Sequence, residues 1–156
     1  MPNIRKRAIS SLPDARISRC ILEHWNEIKG GNKFPAEKDL HVELLEDIFG
    51  SCFLLDVKGV DEGRYHYKFL GENIVKAFGC KTTKKLDYNK NCPFSYKNNV
   101  ADILKTGKPL TSSGEFKNVH GDLVKYRQCL VPMSNDGKNI ISILGGMSYK
   151  VIKQHE

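Results

Sequence analysis

The side chains best suited to chemistry in this sequence are its histidines. They fall on different predicted elements and show no metal-ligand spacing. No glycine-rich phosphate loop follows a predicted strand, and no Gly-x-Ser-x-Gly elbow is present. The sequence therefore predicts a protein that is not an enzyme and holds no metal, although a catalytic set assembled in space remains an alternative. The five histidines are His24, His41, His66, His120 and His155.

The cysteines form an odd set with no close pair along the chain. This pattern argues against a disulfide framework or a zinc knuckle and favours buried, reduced thiols. The five cysteines are Cys20, Cys52, Cys80, Cys92 and Cys129.

The charge of the chain raises the question of nucleic acid as a partner. The 156 residues carry a net charge of +7, but the basic residues form small groups, such as Arg5-Lys6-Arg7, and not one dense stripe. We therefore expect a solvated surface, with a basic nucleic-acid-associated regulator as the alternative. No apolar run reaches the length of a membrane span and no hydrophobic signal segment is present, so the expected location is the cytoplasm.

The elements that must position any site centre on a long hairpin near the C-terminus. Two β-prone runs, 122–134 and 139–150, flank Asp136-Gly137, a pair typical of tight hairpin turns. In the second run, alternate residues form one strongly apolar face and one mixed face, which predicts a sheet covered on one side. Further strands are predicted at 51–57, 64–70 and 110–118, with the first strand beside the last.

The N-terminal half is predicted to be helical. A helix from residue 14 to about 29 has an apolar stripe of Ile17, Ile21, Trp25 and Ile28. This stripe either packs on its own domain or forms an interface with another chain, and we expect a homodimer through it. A second helix is expected from near residue 39 to Gly50.

The domain division follows from this order of elements. We expect a flexible basic arm at 1–13, flanking helices at 14–50 and a core domain at 51–150. Within the core, a brief helix follows Gly71 and another spans 94–105. The fold class is α+β, an antiparallel sheet with helices gathered on one face.

Several short motifs, in their order and spacing, are similar to the PAS fold. They include Leu54-Leu55-Asp56-Val57, Tyr67-Lys-Phe-Leu-Gly71, Gly107-Lys-Pro109 and Leu130-Val-Pro-Met-Ser134. The resemblance covers residues 22–149 and is greatest to the single-domain PAS proteins of alphaproteobacteria. It implies a sheet in the order 2-1-5-4-3, a cavity between sheet and helices, and a non-enzymatic sensor or adaptor that binds a small molecule or a signalling protein.

The residues expected to line such a cavity are mainly apolar, with two tyrosines that bring polar tips to the wall. This mixture is common in small-molecule sites, although the same residues can fill a dry core. No His or Cys is placed to hold haem, and the sequence around Cys80 does not resemble a photoreceptor motif, so no cofactor is predicted. The candidates are Tyr67, Phe69, Ile74, Phe78, Leu104, Phe116, Tyr126, Ile143, Gly145 and Met147.

Overall fold

A five-stranded antiparallel sheet forms the centre of the protein. The structure, a computed structural model, describes residues 15–80 and 96–152. The strand order is β2-β1-β5-β4-β3, as predicted, and β1 lies beside β5. The strands are β1 (Cys52–Asp56), β2 (Tyr67–Leu70), β3 (Leu110–Lys117), β4 (Leu123–Met133) and β5 (Ser142–Ile152).

The predicted β4–β5 hairpin is confirmed, and Asp136 organises its turn. The Asp136 carboxylate accepts hydrogen bonds from the backbone N–H groups of Lys138 and Asn139, both at 2.8 Å. It also accepts from the Ser134 hydroxyl at 2.9 Å. These bonds hold the pKa of Asp136 well below its usual range, the backbone bonds contributing most. Gly137 follows with a φ of 77°, a conformation that side chains disfavour.

Three α-helices surround the sheet in the part of the chain that the structure describes. They are α1 (Arg16–Lys29), α2 (Glu72–Ala77) and α3 (Lys97–Thr106). The helix predicted near residues 39–50 is instead a 3₁₀ helix at Val42–Ser51, preceded by a 3₁₀ turn at Glu37–Asp39; a third such turn is Val60–Glu62. Within the described residues, no helix has both the length and the apolarity needed to cross a bilayer.

Both faces of the sheet are covered, which corrects the expectation of a sheet covered on one side. Helices α2 and α3 pack on one face, which we call the α2/α3 face, and α1 packs on the other, the α1 face. The α1-face core consists of Ile21, Trp25, Phe34, Leu45, Ile48, Cys52, Leu54, Cys129, Val131, Met133 and Leu144. The mixed composition of the second face of β5 had suggested solvent, but Gly146 on that face lies beneath Ile17 and Ile21 of α1.

Helix α1 is anchored on the sheet by its tryptophan. The Trp25 indole N–H donates to the Pro132 carbonyl at 2.7 Å. Strand β3 pairs with β4 only as far as Leu130, so Pro132 lies beyond the paired segment and its carbonyl needs another donor. Ile21 and Trp25 are buried here. Packing on the chain's own domain is therefore what the structure shows for these two residues.

The Gly145-Gly146 pair in β5 lets both layers approach the sheet closely. A Cβ on Gly145 would overlap the Phe53 ring on the α2/α3 face. A Cβ on Gly146 would lie 2.5 Å from Ile21 Cγ1 on the α1 face. The pairing of β5 with β1 and β4 runs without a register shift here, so no bulge is involved. Each glycine makes room for a side chain of the protein itself.

Candidate ligand-binding core

The α2/α3 face carries a cluster of aromatic side chains with polar tips. Tyr96, at the start of α3, is the hub, and Phe53, Tyr65 and Tyr67 pack around it with ring centroids 5.4–6.4 Å away. The Tyr67 hydroxyl donates to the Tyr96 hydroxyl at 3.2 Å. The Tyr65 hydroxyl accepts from the Tyr96 backbone N–H at 3.1 Å. Two phenolic oxygens thus meet inside an otherwise apolar core, and a third lies against the backbone of Tyr96, a combination suited to holding a polar group.

A second aromatic group lies on the β3–β4 half of the same face. Phe116 contacts Phe78 at 6.0 Å and Tyr126 at 5.8 Å between ring centroids. The Tyr126 ring lies over Gly114, its partner on β3, as Phe53 lies over Gly145. Burial raises the pKa values of Tyr126 and its β5 partner Tyr149. Both phenols therefore stay protonated at neutral pH and can donate hydrogen bonds.

Between these two groups lies a buried amide with an unpaired oxygen. Gln128 is 0% exposed, and its NH₂ donates to the Ser112 hydroxyl at 3.1 Å. Its side-chain oxygen has no hydrogen-bond partner. The register places Gln128 between Ser112 on β3 and Met147 on β5, so it faces the α2/α3 core. A buried acceptor left unpaired costs about 1–3 kcal/mol.

The structure brings most of the predicted pocket residues together. Six are buried in the α2/α3-face core, Tyr126 packs against it half-buried, and Gly145 lies beneath the Phe53 ring. The six buried residues are Tyr67, Ile74, Phe78, Phe116, Ile143 and Met147.

Phe69 lies on the opposite face from the other candidates. The prediction assumed strict alternation from Tyr67 to Phe69. The β1–β2 register shifts between Leu54 and Leu55, so Tyr67 pairs with Leu55 while Phe69 pairs with Leu54. This irregularity moves Phe69 to the α1 face, where it stacks on Phe49 with a centroid distance of 5.1 Å.

Leu104 is the second candidate that lies elsewhere, being 49% exposed. The buried stripe of α3 is formed by Tyr96, Val100 and Ile103, at the spacing i, i+4, i+7. Leu104 lies just past the edge of this stripe. The helix predicted at 94–105 included Tyr96, but the prediction placed Leu104 on the inward face beside Val100 and Ile103, whereas the buried stripe runs through Tyr96 instead.

The polar members of this core were missed at the sequence level. Gln128 alternates with Tyr126 and Leu130, so β4 alone predicts that it points inward. A polar residue at an inward strand position was therefore a readable signal. No local sequence pattern indicated that Tyr65 and Tyr96 would meet. Tyr65 lies in a loop and Tyr96 at the start of a helix, and their hydrogen bond spans 31 residues of sequence.

The thiols and histidines of the described residues offer little reactive chemistry. Burial raises the pKa of Cys52 to about 12 and that of Cys129 to about 11, so both remain unreactive thiols. Cys80 is half-buried against the α2/α3-face core, and Cys92 lies outside the described residues. Across residues 15–80 and 96–152, no three His, Cys, Asp or Glu side chains are grouped to hold a metal ion.

Sequence comparisons find no relative. No family model matches the chain, and no curated protein is significantly similar to it.

Solved structures with the same architecture do match. A light-oxygen-voltage domain studied with a flavin analogue superposes with a TM-score of 0.53 at 13% identity, over 72% of this chain and 84% of that one. The dark form of the aureochrome 1 light-oxygen-voltage domain gives 0.51 at 10% identity, over 72% and 83%. The PAS domain of the fruit-fly ELK potassium channel gives 0.47 at 15% identity, over 74% and 99%. With the strand order 2-1-5-4-3, the two superpositions with TM-scores above 0.5 show that the chain has the fold of PAS and light-oxygen-voltage domains.

Proposed function

We propose that this protein is a non-enzymatic sensor or adaptor that binds a small organic molecule on the α2/α3 face of its sheet. The observation that carries the proposal is the buried, unpaired amide oxygen of Gln128. A ligand with an apolar body and one hydrogen-bond donor would satisfy this oxygen and lie against the neighbouring aromatic rings. Domains of this fold are typically sensors, which agrees with this reading.

The ligand is proposed by class and not by name. One similar light-oxygen-voltage domain was studied with a flavin analogue, and an amide such as Gln128 suits a heteroaromatic ring with an N–H group. The centre of this core is already occupied by the rings of Phe53, Tyr67 and Tyr96. We therefore favour a ligand smaller than a flavin.

Signal output is proposed to pass through association, in the cytoplasm, with a protein partner or a second copy of the chain. Ile17 and Ile28 on α1 are only half-buried, whereas Ile21 and Trp25 are buried in the α1-face core. Self-association through α1 would therefore use the parts of Ile17 and Ile28 that their packing on the sheet leaves exposed. Sedimentation of wild type beside Ile17→Glu and Ile28→Glu tests this, and a wild type that stays monomeric at high concentration would remove the homodimer.

The test of ligand binding compares wild type with Gln128→Leu. Native mass spectrometry of the purified protein, with an absorbance spectrum of its denatured extract, identifies any co-purified molecule and shows whether it is a flavin. Ligand-observed NMR with a fragment library extends the search to ligands that the host does not supply. Fragments with a donor group should bind wild type. Their affinity for Gln128→Leu should be lower by about tenfold or more, because one buried hydrogen bond is removed.

Thr111→Val is the matched control. Thr111 pairs with Cys129 and so belongs to the α1 face, next to Ser112 in the chain. It should leave binding unchanged. Equal fragment binding by all three proteins, or no binding to any of them, would contradict a ligand site at Gln128.

A further inference from the structure

A separate groove lies on the α1 face, where the first turn of α1 meets β3 and β4. It encloses about 300 Å³. Ser113 pairs with Arg127, and Arg127 is two residues from Cys129 of the α1-face core, so the groove lies on the side of the sheet opposite Gln128. Its lining residues are Ala15, Ser18, Thr111, Ser112, Ser113 and Arg127.

The start of α1 borders this groove and lacks a side-chain cap from its N-cap residue. Ala15 occupies the N-cap position and offers no side-chain hydrogen bond, and the first turn contains no acidic residue. The leading N–H groups of a helix have no acceptor within the helix, and they carry the positive end of its dipole. An anion is the natural partner for such an end.

Ser18 gives an independent indication of a missing ligand. It lines the groove and is only 9% exposed, yet its hydroxyl oxygen has no hydrogen-bond partner. A serine in a helix commonly bonds to a carbonyl of the preceding turn when it is buried. This hydroxyl instead remains available, and rotation about χ1 changes its direction without moving the helix.

Arg127 supplies the charge. It is half-buried in the middle of β4, and no carboxylate of residues 15–80 or 96–152 forms an ion pair with it. Glu115, two residues along β3 from Ser113, stands opposite Lys125 and not opposite Arg127. A guanidinium that no described carboxylate engages can bind an oxyanion through two parallel hydrogen bonds.

We propose that this groove binds a phosphate group, either free or carried by a small molecule. The start of α1 and the guanidinium of Arg127 offer only donors, and the hydroxyls of Ser18, Thr111 and Ser113 can donate as well. Such a set recognises a tetrahedral oxyanion by both charge and geometry. The site goes beyond the proposed sensor function, since its proposed donors lie on the opposite face of the sheet from Gln128 and do not include Ser112, whose hydroxyl accepts from the Gln128 amide.

The test is a titration of ¹⁵N-labelled full-length protein with inorganic phosphate against sodium chloride at matched ionic strength. Saturable shifts should be confined to residues 15–18, 111–113 and 127. Arg127→Gln should weaken phosphate binding by about tenfold or more, because a charge-assisted hydrogen bond is lost. Ser18→Ala should weaken it by a smaller factor while the protein keeps its melting temperature.

Lys125→Gln is the control for unspecific attraction, because it removes a charge two residues away on the same face of β4. Equal losses in Arg127→Gln and Lys125→Gln, or shifts spread over the lysines, would overturn the proposal. Glycerol 3-phosphate and acetate form the second arm. Tighter binding of glycerol 3-phosphate than of inorganic phosphate would identify a carried phosphate, and equal binding of acetate would overturn the preference for phosphate.

Asp14 precedes Ala15 in the sequence, so its carboxylate is an alternative to phosphate that the experiment must distinguish. The Asp14→Asn variant makes this distinction. Phosphate binding to wild type, unchanged or tightened in Asp14→Asn, supports the site. Binding that appears only in Asp14→Asn would show that the groove serves the chain's own carboxylate, and the proposal would fail.

Discussion

The two faces of the sheet are packed by different chemistry. The α1-face core is aliphatic and thiol-rich, and its one tryptophan has its N–H paired with Pro132. The α2/α3-face core contains buried tyrosines and the Gln128 amide, whose oxygen is unpaired. The α1 side is not free of such groups, since the hydroxyls of Ser18, on α1, and Ser142, at the start of β5, also lack a partner. A lone hydroxyl, however, has far less capacity for specific recognition than an amide among phenols.

This difference indicates a division of labour across a single sheet. A dry, closely packed layer gives stability and a unique arrangement of α1. A layer with polar groups in its interior is more costly to keep, and it is retained where a ligand completes it. Changes in the α1-face core should therefore act mainly on stability, and changes at Gln128 mainly on binding.

The largest effect is expected for Trp25→Ala. Removing this ring leaves a cavity in the α1-face core and an unpaired Pro132 carbonyl, so the free energy of unfolding should fall by about 3–5 kcal/mol. Trp25→Phe should lower the free energy of unfolding by less, because the phenyl ring fills most of the cavity. Urea unfolding followed by circular dichroism measures both, since Trp25 is the one tryptophan of the chain. A loss below about 1 kcal/mol for Trp25→Ala would show that α1 is a detachable flank.

The parts of this architecture that sequence reasoning predicted are those with local causes. Asp136-Gly137 located the hairpin because an Asp and a Gly can form such a turn without help from the rest of the chain. Phe69 was misplaced because the register shift opposite it depends on how β1 and β2 pair, which no local pattern records. The apolar residues of the candidate site were predicted from strand and helix patterns. The polar groups among them were missed, because their positions depend on long-range contacts.

The two adjacent glycines of β5 provide the sharpest comparison of the faces. Gly145→Ala forces a methyl into the Phe53 ring, and Gly146→Ala forces one against Ile21. Each should lower the free energy of unfolding by about 1–3 kcal/mol through overpacking. Gly31→Ala is the control, since a Cβ there meets nothing within 4 Å. If the faces differ in role, only Gly145→Ala should also impair fragment binding.

Gln128→Leu should change binding far more than stability. The substitution removes a buried amide that is only half satisfied, so the free energy of unfolding should stay within about 1 kcal/mol of wild type or rise. Urea midpoints without ligand measure this. A loss of several kcal/mol would mean that the amide is a structural element of the core, and the contrast between the two faces would disappear.

The smallest effect is expected at His24, where α1 meets the segment leading into the sheet. His24 is 5% exposed, and its Nε2 accepts the backbone N–H of His41 at 3.3 Å. That contact requires the neutral ring, because a protonated Nε2 cannot accept. Burial lowers the pKa of His24 from its ordinary value of 6.5; nearby His41 lowers it further, and Glu27 opposes the change.

The direction of the pH dependence follows from this lowered pKa. Well above pH 6.5 both folded and unfolded chains hold His24 neutral, so His24 contributes no slope there. As the pH falls below this value, the unfolded chain takes up a proton that the folded chain refuses, and the free energy of unfolding declines until the folded pKa is passed. Urea midpoints between pH 5 and pH 8 should therefore fall on the acid side in wild type and flatten in His24→Gln. His66 is exposed, so His66→Gln is the control and should keep the slope of wild type. An acid slope that survives in His24→Gln would contradict the assignment to His24.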